Sequence, residues 1–262
     1  MQHQAKKRFG QNFLRDKNLL SKIVRESNIE NKHVIEVGPG QGALTSYLAE
    51  TAADVVAYEI DTSLAPHLNV LTNQYPNLKI IYQDFLDVDL SKEEHELHVV
   101  ANVPYYITTP ILFKLLEVDQ IRTATLMIQK EVCDRLLAQP NTKAYNALSV
   151  ILQYQARVNK MMDVKRQLFY PVPNVDSAVI RIEKRETPLL NEKKKDFFID
   201  LVKAAFKQKR KTLVNNLFEA FHISKKDIEN YLIQLNISTQ TRAEALSLET
   251  FIQLAKEWPY DY

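Results

Sequence analysis

VIEVGPGQGALT, residues 34–45, holds three of the chain's four glycines within five positions. At an average usage of ~7%, a chain of this length would carry roughly 18 glycines. Concentrating so few in one turn marks backbone that must adopt conformations, or permit approaches, that a Cβ forbids. The apolar run HVIEV (33–37) precedes the turn, and helical spacing follows over 42–51. Strand, glycine turn and helix in that order open a nucleotide-binding βα unit.

The same alternation continues outward from this unit. Short, nearly continuous apolar runs recur at 54–60, 79–83, 97–101 and 123–128, with helix-period segments at 62–73, 109–117 and 130–138. Runs of this kind suit strands covered on both faces, so the spacing predicts a doubly wound parallel sheet. Two more strands are expected at 157–164 and 176–183, separated by FYPVPN with Pro171 and Pro173. After Arg185 no strand pattern remains. Residues 196–221, 224–235 and 248–257 read as amphipathic helices, the last two started by Ser224 and Ser247 as N-caps. The expected organisation is an α/β domain over 1–184 and a small helical domain over 185–262.

Composition bounds the function classes. Apolar residues make up 45% and charged residues 25% of the chain, ordinary values for a folded soluble domain. No apolar run approaches the ~18 residues that span a bilayer. The N-terminal MQHQAKKRFGQNFL has basic residues but no apolar stretch behind them, unlike a secretory signal. A single cysteine, Cys133, excludes a disulfide framework and a cysteine metal cluster. A cytoplasmic protein without a metal or membrane segment is expected. The net charge of +2 does not indicate nucleic acid, but KAAFKQKRKTL (203–213) carries Lys203, Lys207, Lys209, Arg210 and Lys211 with no acid. Such a run is either a solvated helix face or a phosphate-contacting patch.

Gly38 to Ala43 fits G-x-G-x-x-A, and Glu59 ends the second strand where a carboxylate can accept both ribose hydroxyls. That much is compatible with a nicotinamide dinucleotide. Two further acids shift the balance. Glu36, just before Gly38 and Gly40, would repel a pyrophosphate but attract an ammonium group. Asp84 ends the third strand in YQDF, where it can bond an adenine amine. An amine, a ribose, an adenine and no phosphate together describe S-adenosylmethionine.

The fourth strand runs into NVPYYITTP (102–110). An exocyclic adenine amine is a poor nucleophile because its lone pair is delocalised into the ring. The Asn102 side-chain carbonyl and the Val103 backbone carbonyl can each accept an N6 hydrogen and stabilise positive charge as it develops. Pro104 restricts the turn, and Tyr105 offers a flat face for an extruded base. No general base is required, because the methylated nitrogen is acidic enough to lose its proton afterwards.

With these residues in view, the chain resembles the rRNA adenine N6-dimethyltransferase family. The likeness runs nearly end to end, through RFGQNFL (8–14), EVGPGQGALT (36–45), YEID (58–61), YQDF (82–85), NVPYYITTP, MIQKEVCDRL (127–136), KAYNALSV (143–150), FYPVPNVDSAV (169–179) and AAFKQKRKTLVNNL (204–217). It implies a Rossmann-like, S-adenosylmethionine-dependent α/β domain with a small C-terminal helical domain that binds RNA. Its implied substrate is small-subunit rRNA in an assembling small ribosomal subunit, dimethylated at two adjacent adenines near the 3′ end by a monomer. The resemblance implies that Asn12 and Leu14 cover the donor, and that Gly38 contacts its methionine part. It places Glu59 at the ribose, Asp84 at the adenine, Asn102 at the reacting region and Phe169 flanking the target base opposite Tyr105. Gly10, the remaining glycine, falls in the arm expected over the donor. Two departures stand out: Asn146-Ala147 where the family usually has a glycine and an arginine, and Lys209 in the family's Q-R-R-K-T. The related large-subunit resistance methyltransferases often carry E-x-G-S-G and lack VDSAV and KRKTL, so the small-subunit activity is favoured. A non-catalytic assembly factor is the other alternative, and the intact Asn102–Tyr105 turn argues against it.

Overall fold

The computed structural model describes residues 11–260, so Gly10 lies outside the described residues. Secondary structure begins with β1 (Phe13–Leu14), α1 (Lys17–Glu26), β2 (His33–Val37), α2 (Ala43–Thr51), β3 (Asp54–Glu59), α3 (Ala65–Gln74) and β4 (Leu78–Tyr82). It continues with β5 (Leu97–Asn102), α4 (Thr108–Glu117), β6 (Ile121–Gln129), α5 (Lys130–Leu136), α6 (Ala147–Gln155), β7 (Ala156–Val164), β8 (Phe169–Tyr170) and β9 (Ser177–Lys184). Four helices follow: α7 (Glu192–Ala205), α8 (Leu213–Phe221), α9 (Lys225–Gln234) and α10 (Leu248–Lys256).

The main sheet has the order β4-β3-β2-β5-β6-β9-β7, parallel from β4 to β6, with β9 antiparallel to β6. Strand order reverses between β2 and β5, which is where ligands bind in open α/β sheets. The inner parallel strands β2, β3, β5 and β6 are buried on both faces, as their apolar runs require: Val34, Ile35, Val55, Ala57, Val99, Val100 and Leu126 are all under 4% exposed.

The chain divides into two compact units, one of residues up to Cys133 with Val158–Lys184, the other of Asp134–Arg157 with Arg185 onward. The helical unit also takes 134–157, because α6 packs with α7 and α10. Asn146 caps α6: its side-chain oxygen accepts from the Leu148 amide at 2.9 Å, and the Ser149 hydroxyl accepts from the Asn146 amide at 3.2 Å. The departure at Asn146 therefore supplies a helix start.

The single helix expected over 196–221 is two helices. α7 ends at Ala205 and α8 starts after Thr212, whose hydroxyl accepts from the Asn215 amide. The basic run consequently leaves the helix after Lys203 and forms a turn. Buried Asn216 holds that turn, donating to Ala205 O at 2.7 Å and Gln208 O at 3.1 Å while accepting from Gln208 N.

Candidate functional site

A cavity of about 530 Å³ opens at the carboxyl ends of β2, β3, β4 and β5, a size suited to a small organic ligand. Each predicted donor-site residue in the first unit lines it, from Asn12 and Leu14 through Glu36, Gly38, Gly40, Glu59 and Asp84 to Asn102. Val103, Pro104 and Tyr105 complete the wall beyond β5.

The glycine turn is built on left-handed backbone, with φ of 69° at Gly38, 60° at Gly40 and 83° at Gly42. Its three glycines do different work. Gly38 donates its amide to Tyr58 O at 2.9 Å, fixing the turn to the end of β3. Gly40 donates to Glu59 Oε2 at 3.0 Å, and a Cβ there would sit 3.0 Å from the Phe13 ring. Gly42 lies off the cavity; a Cβ on it would approach Leu71 Cδ1 to 2.3 Å. Gly38 and Gly40 line the cavity, while Gly42 lets α3 pack against the start of α2.

The acids are similarly distinguishable. Glu59 is buried and accepts from Gly40 N and, at 2.9 Å, from Asp61 N. Burial raises its pKa, and those amide bonds work against the rise. Asp84 is half-buried, and its Oδ1 accepts from the Leu86 amide at 2.9 Å. Glu36 is 1% exposed and its Oε2 has no hydrogen-bond partner among the described residues. Burial pushes its pKa up to about 8, with the Thr45 hydroxyl offsetting part of the rise and Glu59 adding to it. Glu36 thus holds its proton to higher pH than an ordinary carboxyl, and a cation beside it would favour the carboxylate.

At the end of β5, Asn102 donates Nδ2–H to Asn12 O at 3.2 Å. A second tie from the N-terminal strap runs from Gln11 Nε2 to Asp61 Oδ2 at 2.9 Å. With Nδ2 committed, the Asn102 group left for a substrate amine is the acceptor Oδ1. Val103 is buried, its amide bonded to Met127 O at 3.1 Å. The Tyr105 hydroxyl is 2.6 Å from Ser177 Oγ on β9, which holds the ring in one orientation.

Phe169 is 3% exposed and packs in the core cluster with Leu14 and Val179. The exposed aromatic beside it is Tyr170, at 56%. In the other unit Lys203, Lys207, Lys209 and Arg210 are exposed, while Lys211 pairs with Glu219.

The ribosomal RNA adenine dimethylase family model matches residues 2–259. The chain belongs to this family. The chain is 50% identical over 265 residues to the ribosomal RNA small subunit methyltransferase A of Aster yellows witches'-broom phytoplasma (strain AYWB), covering 98% of this chain and 97% of that one. It is 45% identical over 260 residues to the protein of that name from Lactococcus lactis, covering 95% and 88%. Among solved structures it superposes on a dimethyladenosine transferase from Plasmodium falciparum at TM-score 0.80, with 26% identity over 94% of this chain and 98% of that one. The 23S rRNA methyltransferase ErmE gives TM-score 0.76 and 28% identity, covering 94% and 99%. The protein is therefore a Rossmann-like enzyme that methylates rRNA adenine with S-adenosylmethionine as donor.

The residues fit that donor. An unpartnered, buried carboxyl oxygen at Glu36 suits an ammonium group, acceptor-only Glu59 suits vicinal hydroxyls, and a Cβ at Gly40 would crowd the turn. Among the described residues no cluster of His, Cys, Asp and Glu is arranged to hold a metal, and no helix is long and apolar enough to cross a membrane. Sequence reasoning missed Gln11, Thr45 and Ser177. Ser177 had a signal: a hydroxyl opening the apolar strand SAVIRI must find a buried partner.

Proposed function

We propose that the protein acts on small-subunit rRNA, dimethylating N6 of two adjacent adenines near its 3′ end within an assembling small subunit, as a cytoplasmic monomer. The observation that carries this reading is that relatives named for the small subunit are 43–50% identical to it over nearly the whole chain.

In this reading Glu36 receives the donor's ammonium group, Glu59 its ribose hydroxyls and Asp84 its adenine amine. Gly38 and Gly40 pass their backbone close to its methionine part, and Asn12 and Leu14 cover it. S-adenosylmethionine supplies an electrophilic methyl group. Asn102 Oδ1 and the Val103 carbonyl oxygen accept the two N6 hydrogens of the target adenine. That draws the nitrogen toward a pyramidal geometry and stabilises the charge that develops on it. Pro104 fixes the turn, and Tyr105, steadied by Ser177, stacks on the extruded base. Lys203, Lys207, Lys209, Arg210 and Lys211 in the helical unit contact RNA phosphates.

Tritiated-methyl transfer to small subunits, large subunits and naked rRNA, compared side by side, tests the reading. Incorporation into small subunits is expected. Incorporation only into large-subunit RNA overturns the substrate, and tight subunit binding without any incorporation favours an assembly factor.

A further inference from the structure

β1 and β8 pair antiparallel over only two residues each, Phe13 with Tyr170 and Leu14 with Phe169. Arg15 extends the ladder, its amide donating to Leu168 O at 3.2 Å. So short a pair does not stand alone. Leu14 and Phe169, 4% and 3% exposed, anchor it from one face. Phe13 and Tyr170, directly opposite each other, share the other face. Phe13 is buried there against Gly40 and lines the cavity. Its partner Tyr170 carries the same face out to solvent.

Tyr170 is not bare. The Arg15 guanidinium carbon lies 4.3 Å from its ring centroid. Arg15 is itself exposed and lines the cavity rim together with Lys17. The loop behind is held by Asp176, which accepts from Arg166 N at 3.0 Å and pairs with Lys165 at 3.4 Å. Val172 and Val175 in this loop are also exposed, at 55% and 40%. A half-open aromatic ring with a cation on its face, on a braced loop at the mouth of a cavity, is the arrangement that stacks an unpaired base and neutralises its phosphate.

We propose that Arg15 and Tyr170 form a second nucleotide subsite, which stacks the base adjoining the adenine held in the cavity while Arg15 neutralises the phosphate between them. The proposal rests on the rRNA reading above and adds a position to it: the second adenine of the adjacent pair waits on Tyr170 while the first is methylated.

The test is a binding cycle with a short fluorescent RNA of the small-subunit 3′ region bearing two adjacent adenines. Anisotropy is read at fixed salt with S-adenosylhomocysteine present. The wild type and the Tyr170→Ala and Tyr170→Trp variants are each titrated with this RNA and with RNAs abasic at the nucleotide on either side of the target. Tyr170→Ala is expected to weaken binding roughly ten- to a hundredfold, and Tyr170→Trp to preserve it. An abasic neighbour should cost the wild type a similar factor and cost Tyr170→Ala nothing further. Donor-product affinity by calorimetry should stay at the wild-type value in both variants. Full RNA affinity in Tyr170→Ala, or two losses that multiply, overturns the subsite. Methyl transfer by the wild type to small subunits is assayed alongside: its absence overturns the substrate reading, whereas transfer without coupling overturns the subsite alone.

Discussion

Asn102 donates its side-chain amide to the backbone carbonyl oxygen of Asn12 across 3.2 Å, tying the end of β5 to the strap that lines the cavity. One side chain therefore both orients its own acceptor and anchors the cover. Asn102→Ala should lower the single-turnover transfer rate by roughly 10²–10³, the usual loss when one preorganised transition-state partner is removed. Donor affinity, which in the proposed reading also draws on Glu36, Glu59 and Asp84, should change by less than about tenfold. An Asn102→Ala variant with wild-type turnover would remove the residue from the mechanism.

Glu36 gives the site a pH signature. Its folded pKa of about 8 stands above the ordinary 4.5, chiefly through burial, with Glu59 adding to it and the Thr45 hydroxyl opposing. The folded state therefore holds this proton more tightly than the unfolded chain. The associated stability is complete below about pH 4.5 and is lost progressively as pH rises through about 8. Melting of the ligand-free protein should show that decline, and Glu36→Gln should flatten it. An ammonium group favours the carboxylate, so donor binding at pH 7 should release up to about one proton from the wild type and none from Glu36→Gln. Calorimetry in buffers of differing ionisation enthalpy reads the difference directly.

Most of the sheet was legible because its strands are buried on both faces and so appear as bare apolar runs. The run expected at 97–101 ends within one residue of the observed Asn102, and 33–37 matches outright. What stayed hidden depends on long-range partners. β1 and β8 are two-residue strands that exist only because each finds the other. α1 starts at Asp16, whose side chain accepts from Leu19 N, but it follows the family-like QNFL without a break in polarity. The glycine turn announced itself, yet the division of labour within it did not, since Leu71, which requires Gly42, lies 29 residues further on.

That division is measurable. At Gly42 an added methyl meets Leu71 Cδ1 at 2.3 Å on left-handed backbone, whereas at Gly38 it meets only Pro104 at an ordinary 3.6 Å. Gly38→Ala should cost about 1–2 kcal/mol of stability from backbone strain. Gly42→Ala should cost more than this, since the Leu71 side-chain end must also turn away from the added methyl. Leu71→Ala introduced into Gly42→Ala should recover part of that loss in urea denaturation. Equal costs at the two glycines would refute the packing role.

A second ionisable group marks the opposite end of the sheet. His98 is 6% exposed, with Nδ1 2.8 Å from Thr123 Oγ1 and Nε2 without a partner among the described residues. Burial lowers its pKa, and the positive charges of Lys32 and Arg181 lower it further against the pull of Glu96. The unfolded chain takes up this proton first, so the contribution is present above about pH 6.5 and disappears as pH falls through the folded value. His98→Gln should therefore lose less stability than the wild type between pH 7 and 5, followed by thermal melting.

The basic turn carries the last prediction, because its shape depends on one buried amide. Asn216 is 1% exposed and bonds to Ala205 O, Gln208 O and Gln208 N, holding Lys207–Lys211 between α7 and α8. Removing it orphans two carbonyl oxygens and an amide, a cost of about 1–3 kcal/mol. Asn216→Ala should therefore weaken small-subunit binding although no charge changes. Lys207→Glu with Arg210→Glu should weaken it more at low salt than at high salt, because fewer counterions are released from RNA. Neither variant should alter donor affinity, since the donor cavity is lined by residues of the other unit. Unchanged subunit affinity in the charge-reversed variant, measured by sedimentation across a salt series, would make the run an ordinary solvated surface.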